Sequence, residues 1–205
     1  MQSYITIRNH SEFEYEDRKS IFIAEAMPVE TEVEALSFIE QMKRKYPDAT
    51  HHVYAYVLKE NSIARFTDDR EPQGTAGMPV LDSIRKNGIV NAVVVVIRYF
   101  GGTLLGTGGL VRAYSAAAVG AVKAAEIITY DVYASYRIES SYSDYQKLGA
   151  IFRDSGFRQS DIEYSEVIMI EGSIRSAMAE SFENDLIQAT GARIKITKIG
   201  EKFDF

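Results

Sequence analysis

The chain has 205 residues, 46% of them hydrophobic and 25% charged, a balance that supports a folded core and argues against intrinsic disorder. Its 29 acidic residues outnumber 23 basic ones and give a formal net charge of −6, so neither sequence-independent coating of DNA nor DNA-specific binding is expected. The absence of cysteine excludes disulfides, thiolate metal sites and a cysteine nucleophile.

Two segments bear on export and membranes. Residues 1–10 alternate polar and apolar side chains and lack the basic segment and apolar run of a signal peptide. The longest apolar stretch, residues 92–97, is far shorter than the roughly 20 residues that a membrane helix needs. We therefore expect a soluble, cytoplasmic protein without a membrane partner.

The first part of the chain predicts a strand and a helix. Residues 20–27 read as the strand. Thr31 and Glu34 have the spacing of a capping box, so a helix should begin after Thr31, and Pro47 prevents its continuation. Apolar residues recur at helical spacing and predict one buried face, made of Val33, Leu36, Ile39 and Met42.

The middle of the chain predicts a hairpin, a loop and a strand followed by a glycine-rich turn into a helix. In order, we expect a strand at 50–59, its hairpin partner at 62–67, a loop at 68–77, a helix at 78–86, a strand at 92–99 and a helix at 107–125. The run at 92–99 is typical of a strand buried on both faces. These elements form the first of two predicted domains, residues 1–127.

The last part of the chain predicts a second domain, residues 128–205. Its elements are expected at 128–138 (strand), 142–154 (helix), 157–164 (strand), 167–171 (strand), 177–189 (helix) and 193–199 (strand). Gly156 and Gly191 should end the two helices. The order β-α-β-β-α-β is the ferredoxin-like arrangement, so the predicted fold class is α+β with two domains.

One segment, residues 98–115, carries five of the 14 glycines between the buried strand and a helix. Glycine allows positive φ and close approach to a ligand, and an uncapped helix N-terminus attracts anions. Arginines flank the glycines, and a separate acidic loop precedes them by about twenty residues. The candidate binding residues are Arg98, Tyr99, Gly101, Gly102, Gly106, Thr107, Gly108, Gly109 and Arg112, with Asp68, Asp69, Glu71 and Thr75 from the loop and His51 from the strand.

Several interpretations of these residues remain open. The glycines bind a ligand, or they only make a tight turn that packs a helix on the sheet. Arg98 and Arg112 bind an anion, or they pair with carboxylates of the loop at 68–77. For those carboxylates, a role in turn formation and salt bridges is favoured over a Mg²⁺ site, so no metal and no cofactor are expected. His51 and His52 are neighbours on a strand and should face opposite sides, which argues against a two-histidine metal centre.

At these residues the sequence resembles the IMPACT family in its bacterial, YigZ-type form. The anchors are Ala49-Thr50-His51 leading to Ala55-Tyr56, the loop at 68–77 and the segment 98–115. The resemblance implies that the first domain, an α/β sandwich, has the fold of the second domain of ribosomal protein S five. It also implies that residues 130–205 are similar to a ferredoxin-like domain of elongation factor G. The family pattern has glycine where this chain has Arg70, and usually serine where it has Gln73.

The favoured function is a non-enzymatic, translation-associated regulator that binds RNA, the ribosome or a translation factor through the Gly/Arg face. The alternative is an enzyme for a small phosphorylated or carboxylated substrate, with His51 or Asp69 moving protons. The third interpretation is a structural interaction module that binds no ligand. A deep pocket with convergent polar groups favours an enzyme, whereas a flat basic surface favours a macromolecular partner.

Overall fold

The computed structural model describes residues 3–205, apart from the side chain of Asn61. The helices are α1 (Glu32–Lys45), α2 (Gly77–Arg85), α3 (Gly106–Ala124), α4 (Tyr142–Ser155) and α5 (Ala179–Thr190), with short 3₁₀ turns at Glu60–Ser62 and Ser176–Met178. The strands are β1 (Tyr4–Ile7), β2 (Ser11–Asp17), β3 (Ser20–Pro28), β4 (His51–Val57), β5 (Ala64–Thr67), β6 (Ala92–Tyr99), β7 (Ile127–Ser140), β8 (Arg158–Tyr164), β9 (Ile168–Arg175) and β10 (Lys195–Asp204).

The described chain forms two compact units, residues 4–129 and 130–205, and has the predicted α+β class. The first is called the N-terminal unit and the second the C-terminal unit. That the predicted segment 128–205 folds on its own stays a prediction. Among the described residues, no helix is both long and apolar enough to span a membrane.

The N-terminal unit is an antiparallel sheet in the order β2-β3-β6-β4-β5 with helices on both faces. Alternate residues of β6 enter opposite cores, because successive strand side chains point to opposite faces. Val94 and Val96 pack with α2 and α3, whereas Val93 and Val95 pack with α1. All four valines are fully buried, which confirms the prediction of a strand covered on both sides.

Helix α1 begins where the sequence predicts but turns a different face to the sheet. The hydroxyl of Thr31 accepts a hydrogen bond from the amide of Glu34 at 3.2 Å, and the Glu34 carboxylate accepts one from the amide of Glu30 at 2.7 Å. The predicted apolar face is wrong in part, since Val33 is 78% exposed and Leu36 is also exposed. The buried positions are Ala35, Phe38, Ile39 and Met42.

Helix α1 also covers a buried carboxylate, Glu25, on strand β3. Lys45 donates to Glu25 at 2.5 Å, the Tyr46 hydroxyl donates at 2.8 Å, and the His10 ring lies 2.6 Å away. Burial alone raises the pKa of Glu25, but the hydrogen bonds from Lys45, Tyr46 and His10 outweigh it and hold the pKa below its ordinary value. The carboxylate is therefore charged and fully partnered inside the fold.

The C-terminal unit has the ferredoxin-like β-α-β-β-α-β order that the sequence predicts. Its antiparallel strands lie in the order β8-β9-β7-β10, and both helices contribute to one core. Gly156 and Gly191 end α4 and α5 in the left-handed conformation, as expected of helix C-terminal glycines. The register of this sheet follows from the alternation of Ile168, Ile170 and Ile174, which point into the core.

Candidate functional site

The register of β4 and β6 brings the candidate residues to one end of the sheet. His51 is paired directly with Arg98, and both point to the face that carries α2 and α3. They form part of a cleft of about 370 Å³ between the two strand ends and the start of α3. The residues that line this cleft are Thr50, His51, Glu71, Pro72, Arg98, Phe100, Leu104, Leu105, Gly106, Thr107 and Leu110.

Arg98 is committed to a partner inside the protein. Its guanidinium donates to Oε1 of Glu71 at 2.5 Å, and the side chains of Arg98 and Glu71 are only 6% and 4% exposed. The hydroxyl of Tyr114, on α3, donates to the same oxygen at 2.8 Å. Burial and the neighbouring Glu71 charge raise the pKa of Tyr114 well above its ordinary value, so this hydroxyl stays protonated. Of the two roles predicted for Arg98, the structure shows pairing with the loop.

The acidic loop, residues 68–76, is held by its own carboxylates. Asp68 accepts hydrogen bonds from the amides of residues 74, 76 and 77, at 2.8, 3.1 and 2.7 Å, and so ties the loop to the first turn of α2. Asp69 accepts from the amide of His52 at 2.7 Å, and the Thr75 hydroxyl donates to the Pro72 carbonyl at 2.6 Å. The carboxylates therefore have separate partners, and no group of three or more His, Asp or Glu in residues 3–205 is arranged to hold a metal ion.

His51 presents a free ring nitrogen to the cleft. Its Nδ1 lies 2.8 Å from the carbonyl oxygen of Asp69, which can only accept, so Nδ1 carries the hydrogen. In the neutral ring Nε2 is then an acceptor, and it lies 3.6 Å from Oε1 of Glu71, beyond hydrogen-bond distance. His52 faces the opposite side, with Nε2 2.9 Å from the Tyr46 carbonyl oxygen, as the strand alternation predicts.

The glycine loop, residues 100–105, packs against the backbone of residues 19 and 20. Gly101 donates to the Ser20 hydroxyl at 3.1 Å, and a Cβ at Gly101 would overlap the backbone of Lys19 and Ser20. Gly102 and Gly106 have φ of +81° and +72°, which confirms that at least one glycine needs the left-handed region. The prediction that all five glycines lie in a loop is wrong, because Gly106, Gly108 and Gly109 belong to α3.

Arg70 occupies a backbone conformation that suits glycine. Its φ is +69°, and the residue is exposed, with Nε 3.9 Å from a carboxylate oxygen of Asp69. A non-glycine residue in this region carries a cost of about 1–2 kcal/mol. The turn itself therefore favours glycine at this position, and arginine here carries a cost in stability.

The mouth of the cleft carries exposed apolar and cationic side chains together. Phe100 is 48% exposed and Leu104 is 82% exposed. Three exposed cations on neighbouring segments form no ion pair with any residue in the described part of the chain: Arg18, Lys19 and Arg112. The backbone of Lys19 adjoins Gly101. Arg18 Nη1 is 3.5 Å from the Leu104 carbonyl oxygen, and Arg112 folds back over Gly108 at the start of α3. We call Arg18, Lys19 and Arg112 the cation rim.

Several predicted residues lie elsewhere, and several cleft residues were missed. Tyr99 packs on the α1 face of the sheet, so it does not join the cleft. Sequence reasoning did not find the apolar wall or the buried hydroxyl, which come from Phe100, Leu104, Leu105, Leu110 and Tyr114. The two adjacent leucines in a loop otherwise made of glycine and threonine were the available signal, because such a loop has no core of its own to fill.

Comparison with known proteins matches both units. Residues 18–122 match the Impact N-terminal domain, and residues 138–193 match a domain of unknown function, DUF1949. The chain is 36% identical to the IMPACT family member YvyE of Bacillus subtilis over 98% of this chain and 93% of the relative. It is 28% identical to the IMPACT family member YigZ of Escherichia coli over 91% of this chain and 93% of that protein.

Two further comparisons define the extent of the likeness. Protein IMPACT of Homo sapiens is 33% identical over 44% of this chain, which is 29% of the human protein. A crystal structure described as that of a hypothetical protein has 27% identity and a TM-score of 0.61, with 98% of both chains covered. The matches to both domains and to full-length bacterial relatives place this chain in the IMPACT family.

Proposed function

We propose that this protein is a non-enzymatic, cytoplasmic RNA-binding protein that acts in translation. Single-stranded RNA would lie across the mouth of the cleft, with a base stacked on Phe100 and phosphates beside the cation rim. The observation that carries the proposal is the exposure of Phe100 and Leu104 near three cations that form no ion pair with a described residue. Proteins that bind single-stranded RNA combine these two features, an aromatic platform and a positively charged track.

Phe100 is positioned as a platform rather than as a loose surface residue. Its amide donates to the Thr50 hydroxyl at 3.3 Å, and the buried Arg98 guanidinium lies 5.6 Å from its ring centroid. One face of the ring is therefore supported from below, while the residue is still about half exposed. Stacking of a base on such a ring contributes about 1–3 kcal/mol per base.

The positive charge of the cation rim is confined to the mouth of the cleft, because the whole chain carries a net charge of −6. Arg98 does not count toward phosphate binding because Glu71 neutralises it. The cation rim supplies three contacts, so the logarithm of the binding constant should fall with the logarithm of salt concentration with a slope of about −2, taking −0.7 per phosphate for a single strand. A much steeper slope would place the RNA elsewhere on the protein.

The link to translation rests on the resemblance of both units to modules of translation proteins, which is an argument from fold and not from the site. It supports RNA as the partner over an unrelated anion. A protein partner, such as a translation factor, would also use the apolar wall. It would give binding that depends on Leu104 and Phe100 but only weakly on salt.

Fluorescence anisotropy with a labelled single-stranded RNA tests the proposal across a salt series. Phe100→Ala and Arg112→Ala should each weaken binding, by about fivefold or more for the aromatic change. Matched controls are Phe66→Ala, an exposed phenylalanine on β5, and Arg44→Ala, an exposed arginine on α1, which should bind as the parent does. Equal affinity for all four variants, or no RNA binding in the parent, would refute the proposal.

One observation favours an enzyme as the second candidate. His51 lines the cleft, and in the neutral ring its Nε2 can accept a proton from a bound substrate. Incubation with 5′- and 3′-phosphorylated nucleotides and oligonucleotides, followed by chromatography, tests for turnover. Product formation by the parent that disappears in His51→Ala would favour this candidate over simple binding.

A further inference from the structure

We infer that the cleft is a nucleobase pocket that selects guanine. The inference rests on the proposed RNA binding and deepens it, because it assigns a base to the interior of the cleft while the backbone crosses the mouth. It is carried by the polar groups on the floor of the cleft, by its apolar walls and by its size. At about 370 Å³ the cleft falls within the range of pockets that bind small organic ligands.

The floor presents two hydrogen-bond acceptors that the protein leaves unused. Nε2 of His51 is one, because the Asp69 carbonyl fixes the hydrogen on Nδ1. Oε2 of Glu71 is the other: Arg98 and Tyr114 both donate to Oε1, and no described residue donates to Oε2. Neither acceptor is among the buried atoms that lack a hydrogen-bond partner, and His51 and Glu71 both line the cleft. A ligand that satisfies this floor must offer N–H donors.

The walls fit the flat faces of a base. Leu105 and Leu110 line one part of the cleft and Pro72 and Phe100 line another, so apolar side chains surround the polar floor. A nucleobase has the matching distribution of chemistry, with apolar π-faces and a polar edge. A small anion does not match, since its charge would lie against leucine side chains and near the Glu71 carboxylate.

The same end of the cleft also offers donors. Helix α3 begins at Gly106 without a side-chain cap, so amides of its first turn are left without helical partners. A base that carries a carbonyl oxygen beside its N–H groups would use these amides as well as the two acceptors of the floor.

Among the four bases, guanine matches this arrangement best. Its pairing edge carries N1–H and the 2-amino group side by side, next to the O6 acceptor, so two adjacent acceptors can be satisfied at once. Adenine and cytosine each have an amino group beside a bare ring nitrogen, whose lone pair would face an acceptor of the floor. Uracil has one N–H between two carbonyl oxygens. A site with unsatisfied polar groups strongly disfavours such ligands.

The test uses the intact chain and labelled RNA octamers in anisotropy titrations. Octauridine is compared with octamers in which one central uridine is replaced by guanosine, inosine or adenosine. We expect guanosine to increase affinity about tenfold or more over octauridine and over adenosine, since a bidentate base contact is worth about 1–3 kcal/mol. Inosine, which lacks the 2-amino group, should fall between guanosine and adenosine.

Variants then locate the selectivity. His51→Ala should reduce the ratio of guanosine to adenosine affinity to near one, whereas His52→Ala, the neighbour on the other face of the sheet, should leave the ratio unchanged. Replacement of Glu71 would also disturb the fold. The comparison of guanosine with inosine on the parent protein tests the polar floor of the cleft without any mutation.

The outcomes separate this inference from the proposed function. Guanosine preference that is lost in His51→Ala supports the pocket. Tight binding of all octamers with equal affinity overturns the pocket and leaves RNA binding standing. Guanosine preference that persists in His51→Ala also overturns it, since the selective contact then lies elsewhere. Failure of every octamer to bind overturns the proposed function and this inference with it.

Discussion

Replacement of Glu71 by alanine would remove the carboxylate that neutralises Arg98 inside the N-terminal unit. Both side chains are almost fully buried and 2.5 Å apart, and the Tyr114 hydroxyl depends on the same oxygen. Breaking one partner of a buried ion pair costs about 3–5 kcal/mol, because the remaining charge is left without compensation. Native stabilities are about 5–15 kcal/mol, so this single change should remove a large share of the total.

The measurement must report on the N-terminal unit alone, because the chain has two compact units and no tryptophan. Urea unfolding followed by hydrogen exchange and mass spectrometry of β6 peptides does so. With a loss of about 4 kcal/mol and a slope of about 2 kcal/mol per molar urea, the midpoint should fall by about 2 M. The matched control, Arg112→Ala, removes an exposed arginine that forms no ion pair within residues 3–205, and it should change stability by less than about 0.5 kcal/mol.

A double variant shows whether the uncompensated charge is the cause. Glu71→Ala combined with Arg98→Met should be more stable than Glu71→Ala alone, because an apolar side chain of similar length needs no counter-charge. A loss below about 1 kcal/mol in Glu71→Ala, or no recovery in the double variant, would refute the view that this pair holds the acidic loop against the sheet.

Four more predictions follow from single features of the structure. Gly101→Ala should destabilise the N-terminal unit in urea unfolding, since its Cβ would overlap the backbone of residues 19 and 20, whereas Gly108→Ala, in the open first turns of α3, should be neutral or stabilising by up to about 1 kcal/mol. Arg70→Gly should raise the thermal midpoint, because it relieves the left-handed conformation at φ +69°; a lower midpoint would count against strain at this turn. The pKa of Glu25 lies below its ordinary value in the folded state, so its contribution to stability is present above the pKa of an unfolded glutamate and is lost as the pH falls below it. Urea midpoints measured from pH 7 to pH 3 should therefore fall less steeply in Glu25→Gln than in the parent. A fragment that begins at Ile127 should give a folded circular dichroism spectrum and dispersed proton NMR signals; a disordered fragment would show that the boundary at residues 127 and 128 is wrong.

Most helices and strands are determined by local sequence. Thr31 caps α1, Gly156 and Gly191 end α4 and α5, and the apolar run of β6 needs cover on both faces. These signals act through the backbone within a few residues, so sequence alone can reveal them. The strands β1 and β2 were missed. The sequence of β2, Ser-Glu-Phe-Glu-Tyr-Glu-Asp, is rich in acidic residues and forms an edge strand whose pairing with β3 supplies the order that propensity does not.

The choice of the buried face of α1 depended on its neighbours. Val33 and Leu36 satisfy the helical spacing with Ile39 and Met42, yet contact with the sheet goes through Ala35 and Phe38 instead. The sequence offers two overlapping apolar arcs on this helix, and only packing against β4 and β6 selects one.

In the candidate site, too, some features follow from the sequence and others only from the tertiary structure. The sequence by itself predicted that residues 68–77 and 98–115 carry the candidate site and that His51 and His52 face opposite sides. Only the tertiary structure decided that Arg98 is buried against Glu71 while Arg112 is exposed, and that Arg18 and Lys19 stand beside a loop about 80 residues further along the chain. Residues so far apart in sequence are brought together by strand register and loop closure, which local sequence preferences do not encode. Burial then determines whether a charged side chain pairs within the protein or stays available to a ligand.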